Sequence, residues 1–459
     1  MKNLTLENIA KACRGSLFLI NGDDAEKEAS SVIIDSRKAE KDCVFIATKG
    51  ERVDGHSFIP QVFEKGALCV ICEDKPENPV GNYILVESSF QALKDIAEFY
   101  RMQLDVKIVG IAGSVGKTST KEMIASVLSE KFNIQKTAGN FNNEVGVPLT
   151  LFSIDESHEI AVVEMGISDF GEMSRLSKIV KPDICVMTNI GPCHLENLGD
   201  LNGVLKAKTE IFESMNPHGS VVLNGDDEKL RTVKKVYDKT PNYFGLDEKN
   251  DVYVENVINL SIEGSKCTIC TKKGKISVRI HIPGVHHILN ATAACQVGLL
   301  LGMNLEEIKS GIEKARTVAG RTNVISTEKY VIIDDCYNAN PKSMKSAIDL
   351  LHSAAGDKVA IVGDMFELGD NEDELHGTIG DYLSEKTPDV VICIGALSSN
   401  MYDRIVATTN KIYFNSLDEA LPKIKGIIEE KTKGRVNVLV KASHGMQFSR
   451  IVELLQEED

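Results

Sequence analysis

Short apolar runs alternate with helical patterns along most of the chain, and this alternation predicts an α/β fold with mostly parallel sheets. In the middle of the chain, strands are predicted at residues 107–112, 160–165, 184–188 and 220–223. The alternation restarts near residue 318, with strands predicted at residues 330–334, 358–362, 389–394, 411–414 and 436–440. Between and after them, helices are predicted near residues 342–353, 372–385, 417–431 and 447–457. This second series is typical of a separate, open sheet of the Rossmann type.

The first part of the chain has shorter apolar runs and more turns, which predicts a small α/β unit. Its predicted strands cover residues 31–35, 43–47 and 67–71. Ser88 and Ser89 are suited to capping a helix over residues 90–103, which we expect to connect this unit to the next one.

Residues 252–282 break the parallel rhythm, because polar and apolar residues alternate with period two around Gly264 and Gly274. This pattern predicts an antiparallel appendage, followed by helices near residues 290–302 and 305–315. The predicted domains are residues 1–87, 88–317 and 318–459.

The composition is that of a globular protein large enough to bury several cores, with 459 residues of which 42% are hydrophobic and 26% charged. The formal net charge of −15 argues against nucleic acids and anionic membrane surfaces as general partners, because both would repel the chain. No apolar run approaches the roughly 20 residues of a membrane span. The N-terminus has no apolar signal core, so nothing in it predicts export.

Eleven cysteines, an odd number over a long chain, are typical of the reducing cytosol, so we predict a cytoplasmic location. Two pairs have the CxxC spacing of metal sites, Cys69/Cys72 and Cys267/Cys270. Each pair lies in an alternating, strand-like run, and we interpret both as buried strand thiols. A zinc site shared by the two pairs is the alternative.

The strongest chemical signal is Val-Gly-Ile-Ala-Gly-Ser-Val-Gly-Lys-Thr-Ser-Thr over residues 109–120, between a predicted strand and a predicted helix. Backbone N–H groups at such a turn bind phosphate oxygens, the lysine reaches the β- and γ-phosphates and the threonine holds Mg²⁺. Ile111 stands where the strict pattern has glycine, so the shorter G-x-x-G-K-T form is met. The predicted ATP-binding residues are Gly113, Ser114, Val115, Gly116, Lys117, Thr118 and Ser119.

Polar residues at the ends of two later strands suggest a metal site beside this loop. Glu164 ends one apolar strand, and His194 follows the next. Ligand-type residues after successive strands of an open sheet favour a metal site, whereas each residue alone could be a solvated strand end or a structural histidine. A third polar segment, residues 137–151, is rich in Asn and Gly and by itself predicts a turn.

Together these motifs make the chain resemble the Mur ligases, the ATP-dependent amino-acid and peptide ligases of peptidoglycan precursor synthesis. The resemblance covers essentially the whole chain. Further motifs that carry it are Asp35-Ser36-Arg37 and residues 49–56, 206–212, 286–291, 334–341 and 363–369. It implies a small α/β UDP-binding domain, a central P-loop ATPase-type domain with a mostly parallel sheet, and a C-terminal Rossmann-like domain.

The resemblance also implies a reaction. The family joins a carboxylate to an amine through an acyl phosphate, with ATP as phosphoryl donor and two Mg²⁺ ions to neutralise charge on the phosphoryl oxygens. It implies that Thr118 holds the nucleotide Mg²⁺ and that Glu164 and His194 place the second ion. Lys208 matches a lysine that is carbamylated in several members, which would make it a further metal ligand; composition alone would make it a helix-surface lysine. The predicted catalytic residues are Lys117, Lys208, Glu164 and His194.

Other residues match ligand contacts of the family. Asn290 matches an adenine-contacting Asn, with a helix N-cap as the alternative. Arg321 and Asp335 match contacts to phosphate and ribose, which implies a site divided between two domains that must close. Ser36 and Arg37 match positions that hold the UDP part, with a polar strand end as the alternative. The expected contacts with the peptide substrates are Asn142, Asn143 and Asn338.

Within the family, the motifs resemble those of members that add D-alanyl-D-alanine to UDP-N-acetylmuramoyl-tripeptide, and we expect these two substrates and a monomeric enzyme. Asn-Ala-Asn-Pro at 338–341 stands where the sibling that adds the third residue carries Asp-Asn-Pro-Arg. The alternatives are that sibling, a folylpolyglutamate-type ligase, and a catalytically idle binding subunit. Ala112 replaces a threonine common in the family, which removes a hydroxyl but leaves the backbone of the ATP loop intact.

Overall fold

The computed structural model describes residues 1–20, 22, 24–50, 53–406 and 410–457, and within them the chain forms four β-sheets with flanking helices. The predicted α/β fold is confirmed. Residues 51 and 52, part of the motif at 49–56, lie outside the described residues. The domain boundaries at 87/88 and 317/318 stay predictions.

The N-terminal sheet is small and its five strands lie in the spatial order β1-β5-β4-β3-β2. These strands are β1 (Ser16–Phe18), β2 (Val32–Ile33), β3 (Val44–Ile46), β4 (Cys69–Cys72) and β5 (Tyr83–Leu85). Strand β1 runs antiparallel to β5, and the other neighbouring pairs are parallel. The accompanying helices are α1 (Leu6–Ala12), α2 (Ile59–Glu64) and the connecting α3 (Ser89–Arg101).

The central sheet positions the candidate site, because β6 lies between β9 and β8 in the spatial order β11-β10-β9-β6-β8-β7. Its strands are β6 (Lys107–Ala112), β7 (Ile134–Lys136), β8 (Ile160–Glu164), β9 (Ile184–Met187), β10 (Ser220–Asn224) and β11 (Asn242–Phe244). All the neighbouring pairs in this described sheet run parallel. The carboxyl ends of β6, β8 and β9 therefore meet at one edge, which is where open α/β sheets bind ligands.

Five helices of the central unit follow these strands. They are α4 (Lys117–Leu128), α5 (Gly146–Phe152), α6 (Glu172–Val180), α7 (Leu195–Leu198) and α8 (Leu201–Thr209). Helix α4 begins directly after the predicted ATP loop. One side of α4, with Met123, Ile124 and Val127, is buried in a core that it shares with the next part of the chain.

The predicted antiparallel appendage is confirmed as a three-stranded sheet of β12 (Tyr253–Asn259), β13 (Ser265–Thr271) and β14 (Gly274–Ile280). It is followed by α9 (His286–Leu300) and α10 (Leu305–Lys314), which pack against α4. The helix predicted over 290–302 thus begins at His286, four residues earlier than its sequence pattern indicated. Asn290 lies inside this helix, so the N-cap alternative for Asn290 is wrong.

The C-terminal sheet has the spatial order β15-β16-β20-β17-β18-β19. Its strands are β15 (Asn323–Ser326), β16 (Tyr330–Asp334), β17 (Lys358–Gly363), β18 (Val390–Ile394), β19 (Lys411–Phe414) and β20 (Val436–Lys441). Strand β15 is an antiparallel edge strand and the remaining pairs are parallel. The helices are α11 (Pro341–Ser353), α12 (Glu372–Lys386), α13 (Ser398–Arg404), α14 (Leu417–Ala420), α15 (Ile424–Lys431) and α16 (Ser449–Gln456).

In this part of the chain, one predicted helix is corrected and one strand was not predicted. The helix predicted over 417–431 is divided by the 3₁₀ turn Leu421–Lys423, because Pro422 has no N–H to continue an α-helical ladder. The edge strand β15 was not predicted.

The four CxxC cysteines are buried in strands, as predicted, and within the described residues no group of three or more His, Cys, Asp or Glu side chains could hold a metal ion.

We expect Ser88→Ala to destabilise α3 by about 1 kcal/mol, because the Ser88 hydroxyl caps this helix by accepting a hydrogen bond from the Gln91 N–H. Ser89→Ala is a matched control. The Ser89 hydroxyl is buried and has no hydrogen-bond partner in the described part of the chain, so its removal costs nothing in hydrogen bonding. Hydrogen exchange of the α3 amides and the urea midpoint of unfolding measure both variants. Equal losses in the two variants would contradict the capping assignment.

Candidate active site

The turn that links β6 to α4 is held against the end of β9 by hydrogen bonds. The Val115 N–H donates to Asn189 Oδ1 at 3.0 Å, and Asn189 Nδ2 and Thr188 Oγ1 donate to the Val115 carbonyl at 2.9 and 2.7 Å. Ser114 Oγ donates to the Gly191 carbonyl at 3.0 Å. The shape of the turn is therefore fixed by the protein before any ligand arrives.

Glycines are required at two positions of this turn. Gly113 has φ +149°, and a Cβ placed there would lie 2.0 Å from Thr188 Oγ1. Gly116 has φ +80° and precedes the first residue of α4, Lys117. Among the described residues no side chain caps α4, so the N–H groups of its first turn are left for a ligand. Such a helix start attracts anions.

Glu164 is the buried carboxylate of the site. Its Oε1 accepts hydrogen bonds from Thr118 Oγ1 at 3.1 Å and from Asn142 Nδ2 at 2.8 Å. Its Oε2 is buried and accepts no hydrogen bond from the described residues. The structure thus brings together three of the predicted site residues, and it leaves one carboxylate oxygen for a cation.

Lys121 is a buried cation beneath Glu164 that the sequence analysis missed. Its Nζ donates to the Thr137 carbonyl at 2.7 Å and lies 3.9 Å from Glu164 Oε2. Thr137 Oγ1 also accepts a hydrogen bond from the Glu164 N–H. The helical period could have predicted that Lys121 is buried, because this residue precedes the buried Ile124 and Leu128 by three and seven positions.

Lys208 is almost completely buried, with 1% of its surface exposed, so the alternative of a helix-surface lysine is wrong. Burial lowers the pKa of its ammonium to about 8, and the nearby charge of Lys117 contributes to the lowering. Burial also lowers the pKa of Lys117, whose Nζ donates to the Gly113 carbonyl at 3.0 Å. No carboxylate of the described residues forms an ion pair with either ammonium, although the charge of Glu164 partly opposes the shift at Lys117.

His194 lies where the central and C-terminal units approach each other. Its backbone is left-handed, with φ +50°, and its Nδ1 lies 3.4 Å from Glu367 Oε2. Burial lowers the pKa of His194 and the Glu367 charge opposes that shift. Glu367 was not predicted as a site residue, and its position in the motif at 363–369 was the only sequence signal for it.

The other predicted nucleotide contacts are Asn290, Arg321 and Asp335, of which Arg321 lines a small pocket with Thr118 and Ser119. Asn290 Oδ1 accepts a hydrogen bond from Thr120 Oγ1 at 2.9 Å, which ties α9 to α4. The Arg321 guanidinium lies 3.9 Å from the centre of the Tyr337 ring. Asp335 accepts hydrogen bonds from the Thr322 N–H and from the buried Lys441, at 2.9 and 2.6 Å.

The predicted substrate residues other than Asn142 bond mainly within their own parts of the chain. Asn143 Oδ1 accepts from the N–H groups of Val145 and Gly146 at the start of α5, and Asn338 Oδ1 accepts from the next N–H along the chain. Ser36 and Arg37 lie in a 3₁₀ turn of the N-terminal unit, where the exposed Arg37 forms an ion pair with Asp35. In the part of the chain that the structure describes, no hydrogen bond joins these two residues to the central site. Their roles as substrate contacts stay predictions.

The chain matches three family models along its length. Residues 28–103 match the Mur ligase family catalytic domain, residues 111–298 the Mur ligase middle domain, and residues 320–444 the Mur ligase glutamate ligase domain. The UDP-N-acetylmuramoyl-tripeptide–D-alanyl-D-alanine ligase of Bacillus subtilis is 36% identical over 99% of this chain and 98% of its own. The ligase of the same name from Escherichia coli is 32% identical over 100% and 99% of the two chains.

Solved structures are also similar to this chain over nearly its whole length. A crystal structure of MurF from Acinetobacter baumannii has a TM-score of 0.88 at 31% identity, covering 99% of both chains. The structure of MurF from Thermotoga maritima in complex with ADP has a TM-score of 0.82 at 29% identity, covering 92% of this chain and 96% of that one.

Gly113→Ala should lower ADP affinity by more than tenfold, because the new methyl group must displace Thr188 and with it the bonded turn. Gly116→Ala is the control for backbone strain alone, because no atom lies within 4 Å of a Cβ placed there and the left-handed conformation costs roughly 1–2 kcal/mol. Calorimetric titration with ADP measures both. A Gly113 variant that binds ADP as well as the Gly116 variant would show that the close approach to Thr188 is unimportant.

Lys208→Met should stabilise the protein at pH 7 in CO₂-free buffer while abolishing activity. The native pKa of about 8 lies below the ordinary lysine value, so the folded state disfavours the charged form. The resulting penalty, on the order of 3 kcal/mol, is complete below pH 8 and disappears as pH rises toward 10.5. The stability difference between variant and wild type should therefore shrink between pH 8 and pH 10.5.

Urea unfolding at several pH values measures this difference. Lys206→Met, on the exposed face of the same helix, is the matched control and should change neither stability nor its pH dependence by more than about 0.5 kcal/mol. A Lys208 variant that is less stable than wild type at pH 7 would refute the buried-charge account.

Proposed function

Because the chain belongs to the Mur ligase family, we propose that it is the ATP-dependent ligase that joins D-alanyl-D-alanine to UDP-N-acetylmuramoyl-tripeptide. The observation that carries this proposal is the end-to-end match to ligases of that name, at 36% and 32% identity. The products are UDP-N-acetylmuramoyl-pentapeptide, ADP and phosphate. The geometry of the site supports the chemistry, because an anion-binding turn, the half-buried Lys117, the buried Lys208 and a buried carboxylate meet at one edge of the sheet.

In the first step, an oxygen of the tripeptide carboxylate attacks the γ-phosphorus of ATP and the bond to ADP breaks. The uncapped N–H groups at the start of α4 hold the phosphates, and the Lys117 ammonium stabilises negative charge on the transferred group. In the second step, the amine of D-alanyl-D-alanine attacks the acyl carbon, loses its proton, and phosphate leaves with the carboxylate oxygen. The low-dielectric setting of Lys117 strengthens its interaction with these anions.

Magnesium fits the residues of this site. Glu164 Oε2 has no hydrogen-bond donor among the described residues and Thr118 Oγ1 lies against the same carboxylate, so hard oxygen ligands are available. We propose that Thr118 and Glu164 hold the ions together with His194 and a carbamylated Lys208. When bound, two Mg²⁺ ions would neutralise charge on the phosphoryl oxygens. Within the described residues, no three acidic, His or Cys side chains form a metal site, so nucleotide oxygens and water would complete the coordination of Mg²⁺.

We propose that Lys208 is carbamylated, and its surroundings support this proposal. Carbon dioxide adds to the neutral amine and a proton leaves, which replaces a buried cation by an anion with two oxygens. The lowered pKa of about 8 leaves a fraction of the amine neutral near pH 7. The carbamate would also remove the repulsion between Lys208 and Lys117.

A cytoplasmic location and a monomeric state are part of the proposal. All eleven cysteines are free thiols, which suits a reducing compartment. Within the described residues, no helix combines the length and the apolar character needed to cross a membrane. Sedimentation at micromolar concentration tests the monomer.

Glu164→Gln should lower turnover at least tenfold and shift the Mg²⁺ titration of the rate to higher concentrations, because the amide keeps the size but not the charge of the ligand. The control is Glu159→Gln, which changes an exposed carboxylate just before the opposite end of the same strand, β8. Rates of phosphate release against Mg²⁺ concentration measure both. An unchanged titration in Glu164→Gln would make this residue purely structural.

Phosphate release with UDP-N-acetylmuramoyl-tripeptides tests the function itself. Tripeptides ending in meso-diaminopimelate and in L-Lys are each combined with D-alanyl-D-alanine, L-Ala, D-Glu or meso-diaminopimelate as the amine. We expect release at least a hundredfold faster with D-alanyl-D-alanine than with the other amines. Faster release with a dipeptide precursor as the acid and meso-diaminopimelate or L-Lys as the amine would assign the sibling activity. Phosphate release with folate substrates would assign the folylpolyglutamate type. Nucleotide binding without turnover would indicate a binding subunit.

A further inference from the structure

Lys441 is a buried lysine to which the proposed reaction gives no role. It is the last residue of β20, the strand that lies between β16 and β17 in the C-terminal sheet. Only 1% of its surface is exposed. Its side chain therefore belongs to the carboxyl edge of a mostly parallel sheet, where open α/β sheets bind ligands, yet it is shielded from solvent.

The Lys441 ammonium holds one loop at three points. Its Nζ donates to Asp335 Oδ2 at 2.6 Å, to the Asp335 carbonyl at 3.3 Å and to the Asn338 carbonyl at 3.0 Å. An ammonium has three N–H bonds, so these acceptors use all of them. The Asp335 N–H donates in turn to the Val440 carbonyl at 3.1 Å. The loop of residues 335–338 is thus fastened at both ends to the end of β20.

The same loop holds the segment that enters the C-terminal unit, residues 320–322. The Thr322 N–H donates to Asp335 Oδ1 at 2.9 Å, and the Tyr337 N–H donates to the carbonyl of the first residue of the segment at 3.1 Å. One carboxylate oxygen of Asp335 therefore bonds to this segment, and the other bonds to Lys441.

This edge of the C-terminal sheet faces the central site. Arg321, in the middle of the entry segment, lines a small pocket together with Thr118 of the ATP turn. In the segment that follows the neighbouring strand β17, Glu367 Oε2 lies 3.4 Å from His194 Nδ1. The loop that Lys441 holds therefore lies at the boundary between the two units, beside the place where the phosphates bind.

A buried ion pair is a costly way to hold a loop. Both charges lose their hydration, and replacing such a pair by apolar side chains is often neutral for stability. An ammonium supplies something that an apolar side chain cannot, namely three directed hydrogen bonds that fix the loop in one position. The contacts of Lys441 therefore indicate a role in placing the loop rather than in stabilising the fold.

We propose that Lys441 is a positioning residue of the ligase reaction. By holding the loop 335–338 at both ends, it keeps the entry segment 320–322 on the nucleotide side of the site and Asn338 in place for D-alanyl-D-alanine. The inference rests on the proposed function, because it takes ATP and D-alanyl-D-alanine as the ligands that this loop serves. Lys441 itself contacts neither ligand, since its three donors are already used.

Lys441→Met removes the three donors and the charge but keeps an unbranched side chain. In the full chain, we expect KM for D-alanyl-D-alanine and KM for ATP each to rise about tenfold, the size of one lost hydrogen bond. KM for the tripeptide should stay unchanged, because the N-terminal unit is expected to hold its UDP part. Phosphate release against each substrate in turn measures the three values. A purely structural role would lower kcat through loss of active molecules and leave all three KM values unchanged.

Lys411→Met is the matched control. Lys411 begins β19 at the opposite, amino edge of the same sheet, and its half-buried ammonium donates to the carbonyls of Tyr402 and Ile405, both at 2.9 Å. This variant also loses hydrogen bonds from a lysine to backbone carbonyls, so it should lower the temperature of unfolding. It should leave every KM unchanged, because the segments that Lys411 holds carry no residue of the site.

The double variant Lys441→Met/Asp335→Asn separates positioning from stability. Lys441→Met alone leaves the Asp335 carboxylate without its cation and should lower the temperature of unfolding. The double variant removes that unpaired charge and should recover most of the loss. It should keep the raised KM for D-alanyl-D-alanine, because the Asn338 carbonyl still lacks its donor from β20. If Lys441→Met does not fold, the double variant decides alone.

The inference is overturned if Lys441→Met keeps the wild-type KM for D-alanyl-D-alanine, or if the double variant regains it. Hydrogen exchange tests the loop without turnover: the amides of Asp335 and Thr322 should exchange about tenfold faster in Lys441→Met and at the wild-type rate in Lys411→Met. Unchanged exchange in Lys441→Met would also overturn the inference. Absence of ligase turnover by wild type, together with the faster exchange, would contradict the proposed function and leave the positioning of the loop by Lys441 standing.

Discussion

The site is built around an unfavourable interaction between a buried and a half-buried cation. Lys208 is buried and Lys117 is half-buried, and the charge of Lys117 adds to the burial that lowers the pKa of Lys208 to about 8. Holding these two charges close together costs free energy, because the described carboxylates form no ion pair with either ammonium. In the proposed reaction, the phosphates of ATP, a substrate carboxylate and a carbamate on Lys208 would each offset this cost.

The central sheet makes this arrangement possible. Strand β6 lies between β8 and β9, so the turn after β6, the carboxylate that ends β8 and the segment after β9 meet at one edge. Hydrogen bonds from Thr188 and Asn189 hold the turn to the end of β9. A small pocket between the start of α4, the start of α9 and the segment that leads into the C-terminal unit adjoins this turn.

The sequence predicted the elements whose apolar runs are long and fully buried. Strands β6, β8 and β9 have nearly uninterrupted apolar sequence, and their limits were predicted within one residue. Strands β7 and β15 were missed because they have three and four residues, half-buried at sheet edges, which is too short for a period to be recognised. At the site, the turn at 113–119 could be recognised in the sequence because its glycines and lysine have a fixed spacing. The burial of Lys208 depends on packing between distant segments, and no local pattern carries that information.

The central claim is that the carboxylate of one substrate is activated by direct phosphorylation. The measurement that tests it most directly uses a tripeptide whose reacting carboxylate carries ¹⁸O at both oxygens. In the proposed reaction, the oxygen that attacks ATP leaves with the phosphate, so mass spectrometry should find one ¹⁸O in each phosphate released. Release of unlabelled phosphate at the rate of amide formation would contradict the claim, because ATP would then be hydrolysed without forming an acyl phosphate.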